Sequence, residues 1–225
     1  MLDLLYQRLD FIFFVYAALF LLTAKKAFIN SRLEKKNDLW FFLSIFLLMC
    51  GARYIVDAIS LSGYNTGLIF DVLSAAACLA LIEYVVSNTR FFCSRRYLRL
   101  TTLWLVLLLV LLRIFVGERY TDIITRFLFL IGGLGSSIKI FQMERTDDPE
   151  GAFRKDLYMV AVFLGIFCLF QAVELNTDSY IKWLHRSQSG LFIIFVGMLF
   201  AIGLLIFTEK YLKRKCSLLG INRRG

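Results

Sequence analysis

Two charged side chains, Arg53 and Asp57, lie in the second half of an apolar run, LWFFLSIFLLMCGARYIVDAIS. This run extends from Leu39 to Ser60, and roughly 20 apolar residues suffice for one helical crossing of a bilayer. Residues four apart share one face of a helix. Charges on such a helix are costly and usually functional, and arginine binds carboxylates and phosphates through a planar fork of donors. The pair therefore marks a candidate site for a small polar or anionic ligand.

Polar residues recur at the corresponding depth on other apolar runs. If consecutive runs cross the membrane in alternating directions, seven polar residues from five runs share one layer near the outer surface: Arg53, Asp57, Asp71, Arg113, Arg126, Gln171 and Glu174. One interpretation is a structural network, in which three arginines and three carboxylates neutralise each other. The other is a polar cavity, open to the outside, that binds the ligand. Both interpretations remain open at this stage.

The elements that carry these residues are seven predicted membrane spans. The chain of 225 residues is 59% hydrophobic and contains 23 Phe and one Pro, which favours uninterrupted apolar helices. The predicted spans are Asp10–Lys26, Leu39–Ser60, Gly67–Asn88, Leu100–Val116, Asp122–Phe141, Leu157–Leu175 and Ser189–Thr208. The sequence therefore predicts an all-α polytopic membrane protein.

Basic residues cluster in alternate connections, which predicts the orientation of the chain. The first, third and fifth connections and the C-terminal tail are rich in Lys and Arg, whereas the second connection, LSGYNT, has none. Basic segments stay on the cytoplasmic side. We therefore expect an N-terminus outside, a C-terminus in the cytoplasm, one helical bundle over residues 1–216 and a short basic tail over 217–225.

The sequence contains no motif for several kinds of chemistry. The five cysteines form no C-x-x-C pair and His185 is the only histidine, so we expect no metal, haem or other cofactor. No motif pairs a nucleophile with a base or binds a nucleotide, and an enzyme is not indicated. The net charge of +9 comes from clusters beside the spans, which is typical of contacts with anionic lipids rather than with nucleic acid.

Small residues interrupt the fifth span at IGGLGSSIK, where Gly132, Gly133, Gly135, Ser136 and Ser137 occur. Small residues allow membrane helices to approach closely, which predicts tight packing inside the bundle. A hinge, a dimer face or a substrate passage are the alternatives. Trp40 and Trp183 occur at opposite span boundaries, where tryptophan is typical of the aromatic belts of membrane proteins.

From about Ile12 to Leu212 the chain resembles the seven-helix membrane input domains of bacterial sensor histidine kinases and diguanylate cyclases. The resemblance lies in a basic first loop before LWFFLSIF, the polar segment GARYIVDAIS, a third span leading into EYVVSNTRFF, and a glycine-containing fifth span before a charged loop. In that class a PAS, kinase or cyclase module follows the last helix. This chain ends at Gly225 without one, so we expect a module that works through a separate partner.

The first functional hypothesis is therefore a sensory or regulatory module in the inner membrane of a bacterial cell. It would read a ligand or a membrane state at the polar layer and signal through the last helix and its extension, Glu209–Cys216, to a cytoplasmic or membrane partner. A small transporter that uses the same layer is the first alternative, with Ser74, Glu83, Ser136 and Ser137 as polar positions towards the inside. A structural subunit of a membrane complex is the second.

Overall fold

The computed structural model describes residues 9–34, 38–60, 67–87, 117–142, 151–174 and 188–219, together with seven separate positions between 104 and 115. The described residues form six α-helices and no strand, so the predicted all-α class is confirmed. In chain order the helices are α1 (Leu9–Leu33), α2 (Leu39–Ser60), α3 (Gly67–Val86), α4 (Glu118–Gln142), α5 (Ala152–Glu174) and α6 (Gln188–Leu218).

The helices follow the predicted spans but several run further. Helix α2 has the bounds of the predicted second span, whereas α1 ends about two turns after Lys26 and α6 about three turns after Thr208. The added turns carry charged residues, which a hydropathy criterion counts as the end of a span. The predicted fourth span, Leu100–Val116, lies outside the described residues except at seven positions, all helical.

Within the part of the chain that the structure describes, four helical segments are long and apolar enough to cross a membrane. They are Phe11–Leu33, Leu39–Ile59, Gly67–Val86 and Ile123–Gln142. A bilayer core about 30 Å thick requires roughly 20 such residues per crossing. By length and composition, the chain therefore has the character of a helical membrane protein.

The six helices pack in a closed ring. Each helix contacts the next one along the chain, and α6 returns to contact α1. We call the end of the ring where α1 ends and α2 begins the Glu34 end, and the end where α2 ends and α3 begins the Tyr54 end. Phenylalanine rings fill part of the interior: the ring of Phe46 lies 6.1 Å from that of Phe167 and 6.4 Å from that of Phe129, and Phe20 lies 4.9 Å from Phe167. Such pairs contribute about 0.5–1.5 kcal/mol each beyond area burial.

Helices α3 and α4 are parallel neighbours. The Cys78 thiol lies 3.8 Å from the carbonyl oxygen of Thr125, early in α4. Further along both helices, Lys139 donates hydrogen bonds to the carbonyl oxygens of Tyr84 and Val85 at the end of α3. These are carbonyls that a helix C-terminus leaves without a partner in the helix itself. The end of α3 and the beginning of α4 therefore lie at opposite ends of the ring.

The small residues of α4 lie at its contacts with α3 and α5. The Ser136 hydroxyl donates to the carbonyl oxygen of Leu81, and the Ser137 hydroxyl donates to that of Ala161 at 2.8 Å. A Cβ atom built on Gly133 would lie 2.2 Å from the Cβ of Cys168, so only glycine fits this contact. The predicted tight packing inside the bundle is therefore confirmed.

Candidate functional site

The structure describes the side chains of five of the seven residues predicted for the polar layer. Arg53, Asp71 and Gln171 are buried, and Asp57 and Arg126 are half-buried. Arg113 lies outside the described residues. Glu174 is described only as the last residue of α5, and its side chain also lies outside them.

The Arg53 guanidinium lies close to two aromatic rings. Its central carbon is 4.6 Å from the ring centre of Phe70 on α3 and 5.3 Å from that of Tyr54 on its own helix. The residue is only 3% exposed. An arginine so far from water needs compensation, and a cation over an aromatic face gains about 2 kcal/mol when both are desolvated. The two rings therefore offset part of the cost of burying the positive charge.

Tyr54 connects Arg53 with Gln171, the second predicted residue that the structure places in this cluster. The Gln171 amide nitrogen donates a hydrogen bond of 2.9 Å to the Tyr54 hydroxyl, and both side chains are buried. Tyr16 of α1 stacks on Tyr54 with ring centres 4.7 Å apart. We call Tyr16, Arg53, Tyr54, Phe70 and Gln171 the Tyr54 cluster, which joins α1, α2, α3 and α5.

Helix α6 also reaches this cluster. A Cβ atom built on Gly197 would lie 2.6 Å from the Tyr16 hydroxyl oxygen and 3.0 Å from the ring of Phe170. The absence of a side chain at Gly197 therefore lets α6 approach the tyrosine directly. Five of the described helices, α1, α2, α3, α5 and α6, thus contribute to, or touch, the Tyr54 cluster.

The structure brings only some residues of the predicted polar layer together in the Tyr54 cluster. Asp57 lies one turn after Arg53 on α2, and Asp71 directly follows Phe70 on α3, so both acids lie beside the cluster in sequence. Arg126 is not joined to it. Among the described residues, its buried Nε atom has no hydrogen-bond partner, and no ion pair links its guanidinium to a carboxylate.

Sequence reasoning missed the three aromatic members of the cluster. Tyr16, Tyr54 and Phe70 occur in apolar helices, where aromatic residues at helical spacing are typical of ordinary core packing. The available signals were the position of Tyr54 directly after Arg53 and the fact that Tyr16 is the only tyrosine in α1. A buried tyrosine usually needs a hydrogen-bond partner, and that requirement is met here by Gln171.

A second polar cluster lies at the opposite end of the ring, around Glu34. The carboxylate of Glu34 accepts a hydrogen bond of 3.1 Å from the indole nitrogen of Trp40 and another from the Tyr211 hydroxyl. It also forms an ion pair with Lys215 at 3.2 Å. We call Glu34, Trp40, Tyr211 and Lys215 the Glu34 cluster. It ties the turn between α1 and α2 to the extension of α6.

Trp40 is a core residue, and its predicted role in an aromatic belt is wrong. The residue is fully buried within the chain, and its ring lies 4.7 Å from that of Tyr211. The extension of α6 covers it, which the sequence could not reveal because Tyr211 is 171 positions away. Trp183 lies outside the described residues.

Helix α5 holds the extension of α6 as well. An oxygen of the Asp156 carboxylate lies 2.7 Å from Nη1 of Arg214, and the aspartate side chain is 5% exposed. The ring of Phe153 packs edge-on against Tyr211 with centres 5.3 Å apart. The segment Glu209–Cys216, predicted as the signalling extension, is therefore held against α1, α2 and α5 along one side.

The contact between α1 and α6 carries a third group of charges. The Glu209 carboxylate lies 2.9 Å from Nζ of Lys213 and 4.0 Å from Nζ of Lys26. The hydrogen bond from Lys213, together with the positive charges of Lys26 and Lys213, lowers the pKa of Glu209 below its usual value. The carboxylate is therefore ionised at neutral pH and bridges the two helices.

Neither cluster is built like a metal site. Within the described ranges, no three His, Cys, Asp or Glu side chains lie together in a group that could hold a metal ion. The chemistry that the Tyr54 cluster offers is instead a guanidinium fork, an amide and phenol hydroxyls, all of which recognise oxygen-rich small molecules through hydrogen bonds.

Comparison of the chain with protein-family models, with curated proteins and with solved structures finds no match.

Proposed function

We propose that the chain is a seven-crossing regulatory module of a bacterial inner membrane, with its N-terminus outside and its C-terminus in the cytoplasm. The Tyr54 cluster reads a small polar or anionic ligand, or a state of the membrane. Helix α6 passes the change to a signalling partner at the Glu34 end. The seven-helix sensor domains that the sequence resembles work in this general way.

The observation that carries this proposal is the continuity of α6 between the two clusters. Gly197 touches Tyr16 at one end, and Tyr211 and Lys215 bind Glu34 at the other, within one helix of 31 residues. Such a helix is about 46 Å long, which exceeds the thickness of a bilayer core. A ligand that prefers one packing of Tyr16 against α6 would shift the position of the whole helix.

The parallel arrangement of α3 and α4 supports an odd number of crossings. The chain leaves α3 at the Glu34 end and enters α4 at the Tyr54 end, so the connection between Val86 and Glu118 has to return along the ring. The predicted fourth span lies in that connection. With it the crossings number seven, in agreement with the alternation of basic connections.

The contacts of α4 argue against a transporter. Ser136 and Ser137 were two of the four polar positions that a path to the inside would use. Both hydroxyls instead donate to carbonyl oxygens of neighbouring helices. A substrate passing there would have to break these bonds, and we therefore rank the regulatory function first.

The ligand site is tested by native mass spectrometry of the protein released from host membranes, with the wild type beside Arg53→Lys. Lysine keeps the charge but loses the planar fork. We expect the wild type to retain a defined small molecule and the variant to lose it. Loss of a charged hydrogen bond of about 1.5–3 kcal/mol corresponds to an affinity weaker by about 10- to 150-fold.

Arg126→Lys is the matched control, because it is the same exchange on a half-buried arginine outside the Tyr54 cluster. It should retain the molecule. A wild type that carries only bulk lipid, together with an unstable Arg53→Lys variant, would establish the cluster as scaffolding and defeat the ligand proposal. Uptake of the identified molecule into proteoliposomes would favour the transporter.

A further inference from the structure

The outward side of α1 and α6 near the Glu34 end carries an excess of positive charge. The side chain of Lys213 on α6 is 76% exposed. Lys26 on α1 is partly exposed at the contact between the helices. Glu209 is the one carboxylate described between these two lysines, and both share it. One negative charge cannot neutralise two positive ones, so this surface is suited to bind an anion.

The two helices present these lysines at the same level. Helices α1 and α6 are parallel, because Tyr16 contacts Gly197 while further along Asn30 donates a hydrogen bond of 3.4 Å to the carbonyl oxygen of Thr208. The approach of Lys26 to Glu209 fixes the register at the lysines themselves. The positive charges thus form one patch across the contact between α1 and α6.

Exposed apolar side chains continue this patch towards the middle of the bundle. Leu22 lies about one turn before Lys26 on α1, and Ile206 lies about two turns before Lys213 on α6, so each shares a helix face with its lysine. Leu22 is 51% exposed and Ile206 is 45% exposed. A soluble anion makes no favourable contact with an apolar surface, whereas a phospholipid has a charged headgroup joined to apolar chains that can pack against it.

We propose that the contact between α1 and α6 binds an anionic phospholipid, through its phosphate and headgroup at Lys26 and Lys213 and through its acyl chains at Leu22 and Ile206. A lysine close to an anionic membrane surface contributes about 1 kcal/mol. The site does not depend on the regulatory function proposed above. Its chemistry requires only that these helices lie in a bilayer.

The test compares two lipids that differ in headgroup charge. The protein is placed in nanodiscs of palmitoyl-oleoyl phosphatidylcholine with or without one fifth phosphatidylglycerol of the same chains, and the lipids retained after release are counted by native mass spectrometry. We expect the wild type to retain phosphatidylglycerol preferentially. Lys26→Gln/Lys213→Gln should lose this preference by about fivefold for each lysine removed.

Glu209→Gln gives the opposite expectation. It removes the negative charge that the two lysines share, so retention of phosphatidylglycerol should increase. The matched control is Arg154→Gln/Lys155→Gln, which removes two exposed positive charges from α5 at the same end of the ring. It should leave the lipid preference unchanged. If the Lys26 variant fails to fold, Lys213→Gln alone decides, because that side chain is largely exposed.

Three results would overturn the proposal. One is equal retention of the two lipids by the wild type, and another is an equal loss of preference in the α5 control. The third is displacement of phosphatidylglycerol by millimolar glycerol phosphate, which would assign the lysines to a soluble phosphate compound.

Discussion

Glu34 places a negative charge at the C-terminal end of α1, where the helix dipole is itself negative and disfavours an acid. Three donors from two other helices compensate for this: the indole of Trp40, the hydroxyl of Tyr211 and the ammonium of Lys215. The carboxylate is thus the acceptor on which the buried polar groups at this end depend. Removal of the carboxylate would take this acceptor from Trp40, Tyr211 and Lys215 together.

We expect Glu34→Ala to destabilise the protein by about 1–3 kcal/mol, because Trp40 and Tyr211 would keep buried donors without their acceptor. Glu34→Gln retains one acceptor oxygen and should cost less. The measurement is the thermal unfolding midpoint in neutral lipid nanodiscs. Lys213→Ala serves as the control and should change stability by at most about 0.5 kcal/mol, since its ion pair is exposed. An equal effect of the alanine variants at 34 and 213 would contradict a central role for Glu34.

At the scale of residues, the sequence identifies charges in apolar runs but not their surroundings. Arg53 and Gln171 could be predicted because polar groups in apolar helices are conspicuous. Tyr54, which joins them, could not, because an aromatic residue in an apolar helix is ordinary. Glu34 was hidden for a different reason. It lies beside Lys35 and Lys36 in a charged connection, and its partners Tyr211 and Lys215 are near the other end of the chain.

At the scale of elements, the packing of α4 against its neighbours depends on glycine and serine residues, because they leave room for close helix contacts. Its neighbours α3 and α5 approach so closely that Gly132 faces Cys78 and Leu81 on one side, while Gly133 faces Cys168 on the other. Because lipid chains are as apolar as the helices, membrane helices associate through such packing and through hydrogen bonds like those of Ser136 and Ser137 rather than through exclusion of water.

We expect Gly133→Ala to lower stability by about 1–3 kcal/mol, because the new methyl group would overlap the Cβ of Cys168 and push α4 away from α5. Gly135→Ala is the control on the same helix. There the nearest atom is a methyl carbon of Val85 at 3.0 Å, which can turn aside, so the loss should be smaller. The measurement is the thermal unfolding midpoint of each variant, compared with that of the wild type. Equal losses would mean that helix α4 tolerates both contacts alike and that the tight α4 to α5 contact is not limiting.

Hydropathy predicted the positions of the helices well but did not predict all of their ends. The apolar composition of Leu39–Ser60 gave both bounds of α2, because connections follow directly on either side. The end of α1 was predicted too early, since the helix continues through a charged turn, whereas α6 continues through the basic extension predicted at Glu209–Cys216. These turns are stabilised by contacts between distant parts of the chain, such as Lys26 with Glu209 and Asp156 with Arg214.

At the scale of the whole molecule, the proposed seven crossings make a definite prediction about sidedness. Alkaline phosphatase, which is active only outside the cytoplasm, is inserted into the connections within 61–66, 88–99, 143–150 and 175–187. We expect activity for the first and last insertions and none for the middle two, because the parallel pair of α3 and α4 requires the chain to return between them.

An insertion at Gly117 separates six crossings from seven. Activity at Gly117 together with none within 88–99 establishes a crossing between them, whereas the same result at both positions contradicts it. A fusion after Leu218 is the control and should be inactive at a normal level of expression, since the basic tail is expected in the cytoplasm.

The closed ring of helices could not be predicted from the sequence. Periodicity and composition give helices, their approximate number and their preferred side, but they do not give helix rotation. The rotation is set by contacts between specific pairs, such as Tyr16 with Gly197 and Phe46 with Phe167. For this reason the predicted polar layer was joined at Arg53 and Gln171 but not at Arg126.

Closure of the ring between α1 and α6 has a consequence for biogenesis. The ribosome delivers α1 first and α6 last, so Glu34 and Trp40 enter the membrane long before Tyr211 and Lys215 have been synthesised. Until then the Glu34 carboxylate lacks the hydroxyl of Tyr211 and the ammonium of Lys215, and the side of α1 that packs against α6 is uncovered. We expect insertion chaperones to hold this flank, and membrane proteases to remove chains that stop before α6.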